Sequence, residues 1–169
     1  MGGIADNAAR RCLVLDASVI IDYCKEDRSI LSLAAQHIGQ VVIPSPILKE
    51  VTGLDEVSCT DLGLSVYQPI IEQITEAAPR RGQLSFRDRL CLAVARAESY
   101  MLYTNDRPLR KAALCDDVKV RWGLEILIEL SEIHQIDSLK AITFAENICR
   151  RTPFPMDAIM KEFKARLGM

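Results

Sequence analysis

Apolar residues along this chain follow two different periods. Short runs, "CLVL" at 12–15, "QVVI" at 40–43 and "YMLYT" at 100–104, with a weaker "VKVR" at 118–121, have the continuous apolar content of strands covered on both faces. Between them lie longer segments with apolar residues three and four apart, the period of helices. This alternation predicts an α/β fold, a central parallel sheet flanked by helices and built from βαβ units. "SVY" at 65–67 fits either a short edge strand or part of a helix. "APRRGQ" at 78–83 marks an exposed loop, and "PFP" at 153–155 breaks the last helical stretch. From about residue 123 onward only helices are expected. No repeat or low-complexity tract interrupts the pattern.

Composition narrows the picture. With 169 residues, 49% of them hydrophobic, the chain is long enough for one well-buried domain and too short for two ordinary ones. A net charge of -2 provides no overall basic field that would draw it nonspecifically onto nucleic acid. The start "MGGIADNAARR" has no apolar core of signal-peptide length, and no window approaches the roughly 20 apolar residues of a membrane span. A soluble, cytoplasmic protein without membrane contact is expected. Cys12, Cys24, Cys59, Cys91, Cys115 and Cys149 form no C-x-x-C pair and read as small core residues in a reducing compartment. His37 and His134 stand alone and read as partly buried helix residues.

Four carboxylates change the picture more. Asp16 interrupts the apolar run "CLVLDASVIIDY", where an unpaired charge would cost several kcal/mol to bury. It reads equally as the N-cap of the following helix and as a functional carboxylate at a strand's end. In "PSPILKEV", Ser45 and Pro46 suit an N-cap and first turn, which would place Glu50 in the second turn, projecting from the apolar stripe between Ile47 and Leu54. Judged alone, Glu50 reads first as a rim carboxylate. In "LSFRDRLCLAVARAES", Phe86, Leu90, Ala93 and Ala97 form one apolar stripe, and Asp88 shares a second with Cys91, Leu92 and Ala95. Ser85 and Asp88 also fit a capping box. Asp106 follows the strand ending at Thr104 and precedes a Pro-containing helix start, so capping explains it too. It nevertheless occupies the same station as Asp16, the carboxyl end of a parallel strand, where sites form in open α/β sheets.

Were these ends to meet, two such charges about 4 Å apart would repel by roughly 4 kcal/mol at an effective dielectric near 20. An all-oxygen cluster without His or Cys selects a hard cation, Mg²⁺ or Mn²⁺, whose other ligands are water and phosphate oxygens. That chemistry points to phosphodiester hydrolysis.

The four segments "LVLDASVII", "PSPILKEV", "LSFRDRLCLAVARA" and "YTNDRPLRKAA", in this order over about residues 12–122, resemble the PIN-domain nucleases, particularly the VapC-type toxin ribonucleases and their relatives. The resemblance implies a PIN-like (Rossmann-like) sheet. It also implies Mg²⁺ or Mn²⁺ held by Asp16, Glu50, Asp88 and Asp106, with Ser18 and Thr104 as supporting hydroxyls and Glu56 close enough to compete for the place of Glu50. The expected activity is a metal-dependent endoribonuclease. A toxin role, an antitoxin protein as partner and a homodimer belong to the same expectation. On this reading residues 1–11 are a tail, 12–122 the nuclease domain, and 123–169 a helical extension packed on or continuing it. Arg107, Arg110 and Lys111 after Asp106, and Arg80 and Arg81 in the loop, supply positive charge for RNA phosphates, although each also fits a solvated surface. Two alternatives stand beside this reading: a PIN-fold interaction module without turnover, and an aspartate-phosphoacceptor enzyme on another doubly wound fold, with Asp16 as nucleophile.

Overall fold

The run "CLVL" becomes β1 (Cys12–Leu15), whose Leu13, Val14 and Leu15 are fully buried because strands pair on both of its edges. The computed structural model describes residues 10–152 and 156–169; "PFP" at 153–155 lies outside the described residues. In chain order the elements after β1 are α1 (Ala17–Glu26), α2 (Ser29–His37), β2 (Gln40–Pro44), α3 (Ser45–Leu48), α4 (Glu56–Asp61), β3 (Ser65–Tyr67) and α5 (Ile71–Ala77). There follow α6 (Phe86–Glu98), β4 (Met101–Thr104), α7 (Arg107–Cys115), β5 (Val120–Trp122), α8 (Glu125–Glu132), α9 (Ser138–Arg151) and α10 (Met156–Arg166). Segment 65–67 is thus an edge strand, and the weak run at 118–121 is a strand shifted toward Trp122.

All four strand pairings are parallel, in the order β3-β2-β1-β4-β5. The chain leaves β1 toward β2 on one side and returns to its other side as β4, with Leu13 opposite Met101 and Leu15 opposite Tyr103. The boundary between β1 and β4 is therefore the topological switch point, and in open α/β sheets sites form beyond the carboxyl ends of such strands.

The sheet is flanked by helices. Leu90 to Ala95 of α6 are buried without interruption, as for a helix covered all round its middle. The expected stripe frays at both ends, where Phe86 and Ala97 are exposed because the helix runs past the sheet. α8 packs on α2 and β5, α9 on α1, and α10 on α8 and α9. Leu127, Ile148 and Phe163 join the same buried cluster as Leu13 and Ile30. Burying the Phe163 side chain this completely contributes about 2–3 kcal/mol.

Three expectations need correction. α3 ends after a single turn at Leu48, with Pro44 and not Ser45 at its N-cap, because Ser45 Oγ donates to Gln68 Oε1 at 2.8 Å instead of capping; Glu50 lies beyond the helix. His37 and His134 are exposed: the first sits in the last turn of α2, the second in a turn with φ of 59°. Cys115, at the end of α7, is exposed, whereas Cys59, Cys91 and Cys149 are buried. Among the described residues no helix is long and apolar enough to cross a membrane.

Candidate acidic site at the sheet switch point

Asp16 performs both of the roles its sequence context allows. It is the N-cap of α1, with Oδ1 accepting from the Val19 N–H at 3.0 Å and from Ser18 Oγ at 2.7 Å. Its Oδ2 accepts from Thr104 Oγ1, at the end of β4, at 2.5 Å. Its backbone N–H donates to the Tyr103 carbonyl, so the β1–β4 ladder extends right up to it. Only 3% exposed, the carboxyl has its pKa pushed up to about 6. Burial is the main cause; the three hydrogen bonds oppose it, and the nearby charge of Asp88 adds to it.

Thr104 links this carboxylate to the next. Its Oγ1 also accepts from the Asp106 N–H at 2.9 Å, while Asp106 Oδ2 caps α7 by accepting from the Leu109 N–H at 2.9 Å. Asp88 sits in the first turn of α6, where the capping box forms as expected. Ser85 Oγ accepts from the Asp88 N–H at 3.1 Å and Asp88 Oδ2 from the Ser85 N–H at 2.8 Å. The thiol of Cys91, one turn on, is raised well above its usual range by burial, with the charges of Asp16, Asp88 and Glu50 adding to the effect. Those three carboxylates therefore lie within electrostatic range of one buried thiol.

Glu50 reaches this neighbourhood already paired. Arg87 Nη1 holds Glu50 Oε1 while Arg87 Nε donates to the Pro46 carbonyl at 3.1 Å. Among the described residues no three Asp, Glu, His or Cys side chains form a ready cage for an ion. The donors nonetheless suit Mg²⁺, which commonly takes only one or two carboxylates and fills its remaining positions with water and phosphate oxygens. The charge of Asp88 reaches Asp16, so these are the two carboxylates that would supply them. Glu56 opens α4 as an exposed surface residue.

Of the expected phosphate contacts, Arg107 and Lys111 are exposed on α7. Arg110 lies over the Trp122 ring, 4.5 Å from its centroid. Arg80 is exposed, but Arg81 is engaged by Asp116 through two bonds of 2.6 and 2.7 Å. Sequence reasoning missed Arg87, Asp22 and Asn105. Asn105 Nδ2 donates to buried Asp22 at 3.0 Å, and its Oδ1 accepts from the Gly123 N–H at 2.9 Å, fixing the turn between Thr104 and Asp106. The available signals were the adjacency of Arg87 to Asp88 and of Asn105 to both.

Fold and site together define a doubly wound α/β protein with acidic residues at the carboxyl ends of its switch-point strands. The chain is similar in structure to a PilT N-terminus domain protein from the hyperthermophilic archaeon Sulfolobus solfataricus P2, with a TM-score of 0.54 and 18% sequence identity over 70% of this chain and 92% of that one. The fold is therefore PIN-like. No protein-family model matches the chain, and no curated protein matches it.

Proposed function

We propose that this chain is a divalent-metal-dependent endoribonuclease of PIN type. The observation that carries the reading is the buried Asp16 carboxylate at the switch point, held by Ser18, Val19 and Thr104, with the charge of Asp88 also acting on it. Asp16 and Asp88 would hold Mg²⁺ or Mn²⁺, with Glu50 and Asp106 as further ligands. The ion would supply an activated water and charge stabilisation at the phosphodiester. Ser18 and Thr104 orient the Asp16 oxygens, and Thr104 also fixes the backbone that presents Asp106. Residues 12–122 carry this chemistry in the proposal, with 123–169 packed against them. A homodimer and an antitoxin partner belong to the same reading. They are tested by equilibrium sedimentation and by co-purification with the product of any adjoining small reading frame.

The central experiment combines cleavage of a labelled RNA with thermal melting, for the wild type and Asp16→Asn, with and without Mn²⁺. Mn²⁺ at a hundredfold excess over its dissociation constant should stabilise the wild type by about 2.7 kcal/mol. Asp16→Asn should stay folded, since Asn caps as well as Asp, and lose both the stabilisation and cleavage. Wild-type-like cleavage by the folded variant would overturn the assignment. One observation favours the second reading, an interaction module without turnover: Glu50 is occupied by Arg87. RNA binding with no cleavage in either ion would select it.

A further inference from the structure

Helix α1 carries a second aspartate that the candidate site does not use. Asp22 lies in its second turn, 5% exposed, whereas Asp16 stands at its N-cap. Consecutive residues of the turn after β4 bind the two: Thr104 donates to Asp16, and Asn105 Nδ2 donates to Asp22 Oδ2 at 3.0 Å. The next residue is Asp106, so two bonds to one helix decide where the third side chain starts.

Burial pushes the pKa of Asp22 up, opposed by the Asn105 bond and by the charges of Arg151 and Lys25. Leucine would fill the same helix position without that desolvation cost, so packing alone does not account for a carboxyl here. The hydrogen bond does. With Asp22 accepting from Nδ2, Asn105 Oδ1 is left to accept from the Gly123 N–H at 2.9 Å, and the amide satisfies both partners in one sense only.

The helices after residue 122 reach the same turn. Gly123 does so directly, and α9 does so through α1. Glu26, one helical turn beyond Asp22 on the same face, accepts from Asn147 Nδ2 at 2.7 Å and from Arg151 Nη1 at 2.9 Å.

Resting on the ribonuclease reading, we propose that Asp22 is a positioning residue for Asp106. Acting through Asn105, it fixes the turn from which α7 presents that carboxylate to the ion. Its influence passes through the place of the backbone and not through its charge, as for other outer groups that orient metal ligands.

Calorimetry on the intact protein measures Mn²⁺ affinity for the wild type, Asp22→Asn, Asp22→Leu and Asn105→Ala. Amide exchange in EDTA follows the Leu109 N–H, which donates to Asp106 Oδ2. Asp22→Asn keeps an acceptor for Asn105 and should match the wild type in both measurements. Asp22→Leu and Asn105→Ala break the bond. Each should bind Mn²⁺ about tenfold more weakly and exchange faster at Leu109, with native circular dichroism. Asn105→Ala carries this arm by itself if Asp22→Leu does not fold. Weakening by Asp22→Asn as large as that by Asp22→Leu would show a direct effect of charge on the ion and overturn the positioning role. So would folded Asp22→Leu or Asn105→Ala protein with wild-type affinity and exchange. Mn²⁺ bound in the expected ranking but no RNA cleaved would leave the role standing and remove the nuclease reading. RNA cleaved in Mn²⁺ equally by all four proteins would do the reverse.

Discussion

The Thr104 hydroxyl donates to the Asp16 carboxylate at 2.5 Å, joining residues 88 apart in sequence across the β1–β4 junction. The same oxygen accepts from the Asp106 N–H, so one hydroxyl settles two acidic positions at once. Thr104→Val keeps the shape but removes both bonds. It should cost about 2–4 kcal/mol in urea unfolding at pH 7, since a buried carboxylate and an amide each lose a partner. Thr104→Ser should recover most of the loss. Equal stability of the Val and Ser variants would show that the hydroxyl does not support Asp16.

Asp16 also makes stability depend on pH. Its folded-state pKa, about 6, lies above the ordinary value of 3.8, so the folded protein binds the extra proton between those limits. The resulting stabilisation is complete below pH 3.8 and is lost as pH rises through about 6, amounting to about 3 kcal/mol. Asp16→Asn cannot titrate. Its unfolding free energy minus that of the wild type, measured in EDTA, should therefore rise by about that amount between pH 4 and 7. A difference that stays flat would mean the carboxyl is not desolvated.

Arg87 competes with any cation for Glu50. Arg87→Met frees the carboxylate, and because the pair is partly exposed its worth is at most about 1 kcal/mol. Calorimetry should find Mn²⁺ bound up to about fivefold more tightly by the variant. Unchanged or weaker affinity would exclude Glu50 from the ion's ligands.

Gly123 is pinned from both sides, its N–H by Asn105 and its carbonyl by the Tyr23 hydroxyl at 2.6 Å. A Cβ there would stand 2.5 Å from Val19 Cγ2 and 2.8 Å from Asn105 Oδ1. Gly123→Ala should destabilise by about 1–3 kcal/mol and displace Asn105. Thermal melting with no loss would show that the turn gives way freely.

The central strands were legible in the sequence because burial on both faces imposes an uninterrupted apolar run, as in "CLVL" and "QVVI". Asp16, Asp88 and Asp106 were legible as caps because capping is local, decided within three residues. β3 stayed ambiguous since its three half-buried residues carry no period. The short reach of α3 and the pairing of Glu50 with Arg87 were hidden for the opposite reason. Both depend on partners far along the chain, Gln68 in the first case and a side chain 37 residues away in the second. The same holds for Arg81, whose charge reads as available until Asp116 takes it.

The strand order has a consequence for synthesis. β1 leaves the ribosome well before one of its two partners, β4, which begins only at Met101. Until then the central strand keeps one edge open, and Asp16 lacks its Thr104 donor. Closing that edge requires a long-range contact, which is formed late and slowly. A nascent or truncated chain ending before Thr104 therefore carries the opening acidic residue without the environment that organises it, and any activity seated there switches on only when the sheet is completed.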